Sequence, residues 1–218
     1  VLTHAANSKW HIADSTVVSW LLKNFPEVKN VGDKPEERPG IVHRLDRETS
    51  GVLVIARNQQ AFDFLKKLFQ EHKVKKTYLA LVYGEMKEKE GIINRPIGII
   101  SGSIKRTIHI GHARMVKEAI TKYKVKKLFE IDNQKFSLLE VEPLTGRTHQ
   151  IRVHLASINH PVVGDKVYGK KMQSLKIDRQ FLHADSIEFT KPDGGRLKIS
   201  ADLPRELDSF LKQADLSS

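Results

Sequence analysis

The segment His43-Arg44-Leu45-Asp46-Arg47-Glu48-Thr49-Ser50-Gly51-Val52-Leu53-Val54 decides how the rest of the chain is read. Its apolar flanks, residues 41–45 and 51–57, read as two short buried strands, and the polar run between them suits a tight connection. Asp46 therefore falls at a strand end, between Arg44 and Arg47, where a rigid scaffold presents side chains to a cleft. Cationic neighbours favour the ionised carboxylate. An ionised Asp can act as nucleophile, base or metal ligand. It is also a residue that caps a turn through its own side-chain oxygen. Spacing leaves both readings open.

Upstream, Val17, Val18, Leu21, Leu22 and Phe25 recur at helical spacing behind an N-cap at Asp14 or Ser15, and residues 26–40 read as a loop rich in Pro, Gly and charge. Downstream, Asn58 caps an amphipathic helix through Phe62, Leu65, Leu68 and Phe69, which ends near the basic stretch Lys73-Val74-Lys75-Lys76. Residues 77–83 form a strand closed by Gly84, and residues 91–127 alternate short apolar runs with Gly, Arg and Lys, as short strands and exposed loops do. Residues 136–141 are another strand, stopped by Pro143 and a Thr145-Gly146 turn. Ile151, Leu155 and Ile158 then share a helical stripe, and Leu203, Leu207, Phe210, Leu211 and Ala214 mark a closing helix with Pro204 in its first turn. There is no repeat, no low-complexity tract and no linker. One mixed α+β domain over residues 1–218 is the economical reading, and a start at Val1 rather than Met leaves room for an upstream module.

Two further segments combine reactive residues with structural punctuation. In Lys75-Lys76-Thr77-Tyr78-Leu79-Ala80-Leu81, Tyr78 alternates with apolar residues and lies on one face of a strand, as a core tyrosine or in a catalytic or base-stacking role. In Thr145-Gly146-Arg147-Thr148-His149-Gln150-Ile151-Arg152-Val153-His154-Leu155, two arginines and two histidines surround a helix start, an arrangement that suits an anion. His43, His149 and His154 do not read as metal ligands. Positions five apart stand about 140° apart on a helix and on opposite faces of a strand, whereas a zinc-binding pair prefers i, i+4.

Composition narrows the function classes. The chain has 37 Lys and Arg against 26 Asp and Glu, a formal net charge of +11, which points to a polyanionic partner, nucleic acid before membrane. Lysines cluster at 66–76, 122–127 and 170–171, where each group reads as a solvated face or as phosphate contacts. With no cysteine, disulfides, zinc–thiolate sites, iron–sulfur clusters and thiol catalysis are excluded. No apolar run approaches the ~18 residues of a spanning helix, and residues 1–10 lack the apolar core of a signal peptide. A cytoplasmic monomer is expected.

Read together and in order, the three segments resemble the RluA-type pseudouridine synthases, which isomerise uridine in ribosomal or transfer RNA. The aspartate segment looks like that family's catalytic motif, Lys76-Thr77-Tyr78-Leu79-Ala80-Leu81 like its tyrosine motif, and residues 146–155, continuing through His160-Pro161 and Gly164-Asp165, like its third motif. The similarity covers residues 40–192. Many members carry an N-terminal S4 RNA-binding domain, for which this chain has no counterpart, and residues 111–118 follow the family pattern only loosely.

The resemblance implies a fold: a mainly antiparallel mixed β-sheet with flanking helices and a central basic cleft. It implies a redox-neutral isomerisation needing neither cofactor nor metal, on ribosomal (large-subunit) or transfer RNA. Asp46 would be the essential carboxylate, acting covalently or by assisting ribose deprotonation toward a glycal. Arg152 would pair with it, and Tyr78 would stack on the base and remove the C5 proton. Arg44 would fill the space a flipped base vacates. His43, Arg47, Arg147, His149, Lys75 and Lys76 would contact RNA. The rivals are an inactive basic RNA-binding or ribosome-assembly module, a phosphoryl-transfer enzyme and a membrane-surface protein. The last two lack, respectively, clustered carboxylates for Mg²⁺ and a basic amphipathic helix.

Overall fold

A computed structural model describes residues 16–100, 102, 105–169, 175 and 177–216. Asp14, Ser15, Lys170 and Lys171 lie outside them. Helix α1 (Val17–Asn24) is capped by Thr16, whose hydroxyl accepts from the Ser19 amide while Ser19 reaches back to the Thr16 amide. Helix α2 (Gln59–Gln70) starts at Asn58, whose side chain accepts from the Ala61 amide. Helix α3 (Gln150–Ser157) follows the third motif, and helix α4 (Arg205–Leu216) closes the chain. Pro204 stands just before α4 and its carbonyl accepts from Leu207 and Asp208.

Among the described residues, ten strands form two sheets: β1 (Ser50–Gly51), β2 (Lys75–Tyr83), β3 (Glu90–Asn94), β4 (Ile97–Ile100), β5 (Arg106–Thr107), β6 (Ala113–Lys117), β7 (Ile120–Ile131), β8 (Gln134–Pro143), β9 (Leu182–Thr190) and β10 (Arg196–Ser200). The large sheet runs β1-β9-β2-β8-β7-β3 with β10 also on β9, and β5-β4-β6 form the small one. All pairs are antiparallel except β1–β9, so the sheet is mixed and mainly antiparallel.

Alternation along β2 builds two cores. Ala80 and Val82 face one way, onto Leu139, Val141, and Ile151 and Leu155 of α3. Leu81 and Tyr83 face the other way, onto Phe136, Phe181 and Leu207 of α4. A third cluster packs Phe62 and Leu65 of α2 against Ile187 and Phe189 of β9. Each fully buried Leu or Phe in these clusters contributes about 1.5–3 kcal/mol.

The structure departs from the sequence reading in several places. Residues 41–45 and 52–57 do not form strands. The amides that would enter a ladder find single partners instead: Val52 on the Ala184 carbonyl, Val54 on the His43 ring and Ala56 on the Gly40 carbonyl. Only Ser50–Gly51 pairs, and Ile41 meets Ile55 in an isolated bridge. The loop after α1 contains a 3-10 turn, Pro26–Asn30. Residues 120–131 are one long strand rather than short pieces, bent by a register shift between Val125 and Lys127. The sequence reading proposed neither β9 nor β10. No helix among the described residues is long and apolar enough to cross a membrane.

Candidate active site

A cleft of about 590 Å³ opens between α2, the start of β2 and the segment leading into α3. Asp46, Tyr78, Arg152, Arg44, His43, Lys76, Arg147 and His149 all line it, drawn from three segments far apart in sequence. Arg47 and Lys75 do not. Arg47 is exposed outside the cleft wall, and Lys75 points to the other face of the sheet, 3.8 Å from Glu142.

Asp46 sits in a turn closed by the Thr49 amide donating to its backbone carbonyl at 2.9 Å. The turn is fastened from outside. Gln180 donates to the Thr49 hydroxyl at 2.7 Å, and Arg179 donates to the Ser50 hydroxyl at 2.8 Å. Ser50 in turn meets His183 Nδ1 at 2.9 Å; since His183 Nε2 donates to the Ala201 carbonyl, Nδ1 is the acceptor. Every anchor lies in or beside β9, so the carboxylate is positioned by chain more than 130 residues downstream of it.

Arg152 links two carboxylates. Its Nη1 donates to Asp46 Oδ2 at 3.0 Å, while Nε and Nη2 grip both oxygens of Asp165 at 2.8 and 2.9 Å. Asp165 has no exposed side-chain surface, Arg152 retains 7% and Asp46 17%. Burial raises the cost of a charge on Asp165, but the Arg152 fork and the amides of Val167 and Tyr168 outweigh it and hold the group below the usual carboxylate range. Burial likewise opposes the charge on Arg152, and the two carboxylates overcome it, leaving the guanidinium more firmly protonated than in water. The result is a fixed cation that presents one N–H to Asp46.

Tyr78 is half-buried against the α3 core, and among the described residues its hydroxyl has no hydrogen-bond partner. Burial, and then the Asp46 charge, push its phenol well above the ordinary tyrosine value, so it stands protonated at neutral pH. His149 stands just before α3 in the left-handed region at φ 59° and meets the Tyr168 hydroxyl at 3.0 Å, which also accepts from the Arg106 amide. Burial holds His149 below the ordinary histidine value, against the Asp46 charge that would raise it. His43 stacks on Phe69, and its Nε2 accepts from the Val54 amide at 2.9 Å; burial and then the Lys76 charge lower it to about 4. His154 is buried, donating from Nε2 to the Arg95 carbonyl and meeting Thr121 at Nδ1.

Sequence reasoning quoted Asp165 as part of a motif but gave it no role, and it did not single out Tyr168, Arg179 or His183. Asp165 carried one usable signal, an acid directly after the apolar run Val162-Val163-Gly164. Nothing in the spacing pointed it at Arg152.

The site thus gathers an aspartate held by a clamped arginine beside a tyrosine, in the cleft of a mixed α+β sheet. The comparisons make the class specific: the family model described as RNA pseudouridylate synthase matches residues 10–157, and the chain belongs to that family. It is 43% identical to an uncharacterized RNA pseudouridine synthase of Chloroflexus aurantiacus, over 91% of this chain and 60% of that protein. It is 38% identical to the ribosomal large subunit pseudouridine synthase D of Nitrosomonas europaea, over 97% of this chain and 59% of that one. Among solved structures, human RNA pseudouridylate synthase domain containing 1 superimposes with a TM-score of 0.74 at 28% identity, covering 96% of this chain and 87% of that one. The chain thus spans about three fifths of the length of these curated relatives.

Proposed function

We propose that the protein converts uridine in RNA to pseudouridine, with Asp46 as the essential carboxylate. The observation that carries this reading is the Asp46–Arg152–Asp165 array at the floor of the cleft, beside Tyr78. The reaction breaks the bond from uracil N1 to ribose C1′, turns the base and joins C5 to C1′. A proton leaves C5 and one arrives at N1, with no net oxidation. Asp46 either attacks C1′ or takes a ribose proton on the way to a glycal. Arg152 donates to the carboxylate and aims it in both versions.

Reaching C1′ requires the uridine to leave its stack, at a cost of a few kcal/mol in a duplex and less in a loop. Arg44 is exposed on the cleft rim, where it can fill the vacated place. Tyr78 offers the stacking face and enters the reaction as a phenol, so acceptance of the C5 proton first requires that it lose its own. The cleft carries Arg38, Arg44, Lys66 and Arg147 toward the RNA backbone, and a basic cleft fits the +11 net charge. The large-subunit synthase among the relatives favours ribosomal over transfer RNA, and we read the protein as a cytoplasmic monomer.

The test is pseudouridine mapping in ribosomal RNA from cells with and without the gene, repeated with variants. Asp46→Asn is expected to bind RNA normally and lose about 10³-fold or more in conversion. Tyr78→Phe should lower turnover more than binding. Full conversion by Asp46→Asn would remove the assignment.

A further inference from the structure

Lys75 and Lys76 are neighbours on β2 with different surroundings. Lys75 is exposed and faces Glu142. Lys76 lines the cleft, half-buried, and among the described residues no carboxylate lies within ion-pair distance of it. Its one hydrogen bond is a long 3.4 Å contact to the Thr145 carbonyl. An ammonium drawn out of water without a counter-ion is costly to keep charged. Burial accordingly lowers this amine to about 8; Glu142 opposes the fall from β8, and Arg147 adds to it from the segment before α3. His43, on the same wall, feels the Lys76 charge in turn.

Arg147 is the second unsatisfied cation here. Its Nε donates to the Glu118 carbonyl at 2.9 Å, and its two terminal amino groups have no partner among the described residues. Gly146 precedes it and is exposed. A Cβ on Gly146 would meet nothing within 4 Å except the Lys76 amine at 3.9 Å. The floor between the two cations is therefore open. Lys76 and Tyr78 are two residues apart on one strand and both line the cleft, so the lysine attaches about 7 Å along the strand from the tyrosine.

We propose that Lys76 and Arg147, across the open floor at Gly146, hold one phosphodiester of the RNA strand next to the nucleotide whose base lies at Tyr78. This rests on the RNA-modifying reading above and deepens it. The site offers donors and positive charge with no free carboxylate, and it is open to a passing chain, which a backbone phosphate matches and a nucleobase edge does not. The phosphate would supply the counter-ion that Lys76 lacks, raising its proton affinity in the complex. Affinity is then full below about pH 8 and falls as pH rises past that value, because the free protein loses the proton that the complex needs.

The test compares binding of uridine and uridine 3′,5′-bisphosphate by NMR titration at pH 7 and pH 9. In the wild type the bisphosphate should bind about tenfold tighter than uridine at pH 7, and that advantage should shrink at pH 9. Lys76→Met should lose the advantage at both pH values, whereas Lys76→Arg should keep it at both. Thermal melts check folding, and Lys76→Met should melt no lower than the wild type because it removes an uncompensated buried charge. An undiminished advantage in folded Lys76→Met, or none in the wild type, overturns the subsite. The functional reading fails separately: wild-type protein that makes no pseudouridine yet shows Lys76-dependent bisphosphate binding keeps the subsite and loses the activity.

Discussion

Arg152 spends two of its three donor groups on Asp165, a residue that never reaches the cleft, and one on Asp46, which does. The division explains why a single Arg–Asp pair would not suffice. A lone guanidinium on a long, flexible side chain wanders, while one forked onto a fully buried carboxylate has a fixed third N–H. His43 shows the same use of burial at the cleft wall, where its neutral ring accepts the Val54 amide. An unfolded histidine titrates near 6.5, and the folded one near 4. Between these values the unfolded chain binds the proton that the native state refuses. The stability from this group is thus full above pH 6.5 and lost as pH falls toward 4, by on the order of 2 kcal/mol given its partial exposure. Urea midpoints at pH 7 and 4.5 should show a smaller acid loss in His43→Gln, whose amide oxygen can accept the same backbone N–H.

At the scale of elements, β1 is two residues long yet holds the Asp46 turn in place. Gly51 stands at φ 116°, and a Cβ there would come within 2.1 Å of the Ala184 carbonyl oxygen, which is backbone and cannot swing away. Gly51→Ala should cost at least about 2 kcal/mol in denaturant unfolding, through strain and loss of the β1–β9 pair, and should lower conversion with it. The periodic elements were legible in the sequence: α2 behind Asn58, the core of β2, β8 and α3 all stand where apolar spacing put them. What failed was pairing. Residues 52–54 look like a strand because Val, Leu and Val are apolar, and Val52 and Val54 pack against the α2 cluster, but their amides leave one by one to unrelated partners. Strand β9 was missed because His183, Asp185, Ser186 and Glu188 interrupt its apolar pattern; two of them serve networks rather than the core. The three motifs supplied Asp46, Tyr78 and Arg152, which line one cleft, while the supports beneath them were invisible, since a buried polar partner has no period to betray it.

The whole molecule divides its charge between the two faces of the large sheet. Tyr123 and Val125 of β7 turn toward the α3 core, so Lys122, Lys124 and Lys126 turn to the opposite face, where Glu140 and Glu142 stand among them. This lysine cluster is interleaved with acid and faces away from the cleft. The cleft itself carries Arg44, Lys66 and Arg147. Neutralising Lys122 and Lys124 should therefore leave the salt dependence of RNA binding nearly unchanged, whereas Arg44→Gln with Arg147→Gln should reduce its log–log slope by about one for each phosphate no longer neutralised. Filter binding between about 50 and 200 mM salt separates the two cases. A larger change in slope from the β7 pair would relocate the RNA path.

The anchoring of the Asp46 turn on β9 has a consequence in time. Asp46 is made well before the partners that hold its turn, Arg179, Gln180 and His183. Until those residues have left the ribosome and closed the longest-range pair in the sheet, the nascent chain carries Asp46, Tyr78 and Arg152 but not the anchors of the Asp46 turn. A chain that stops between Arg152 and Arg179 would therefore carry all three cleft residues with the Asp46 turn unfastened.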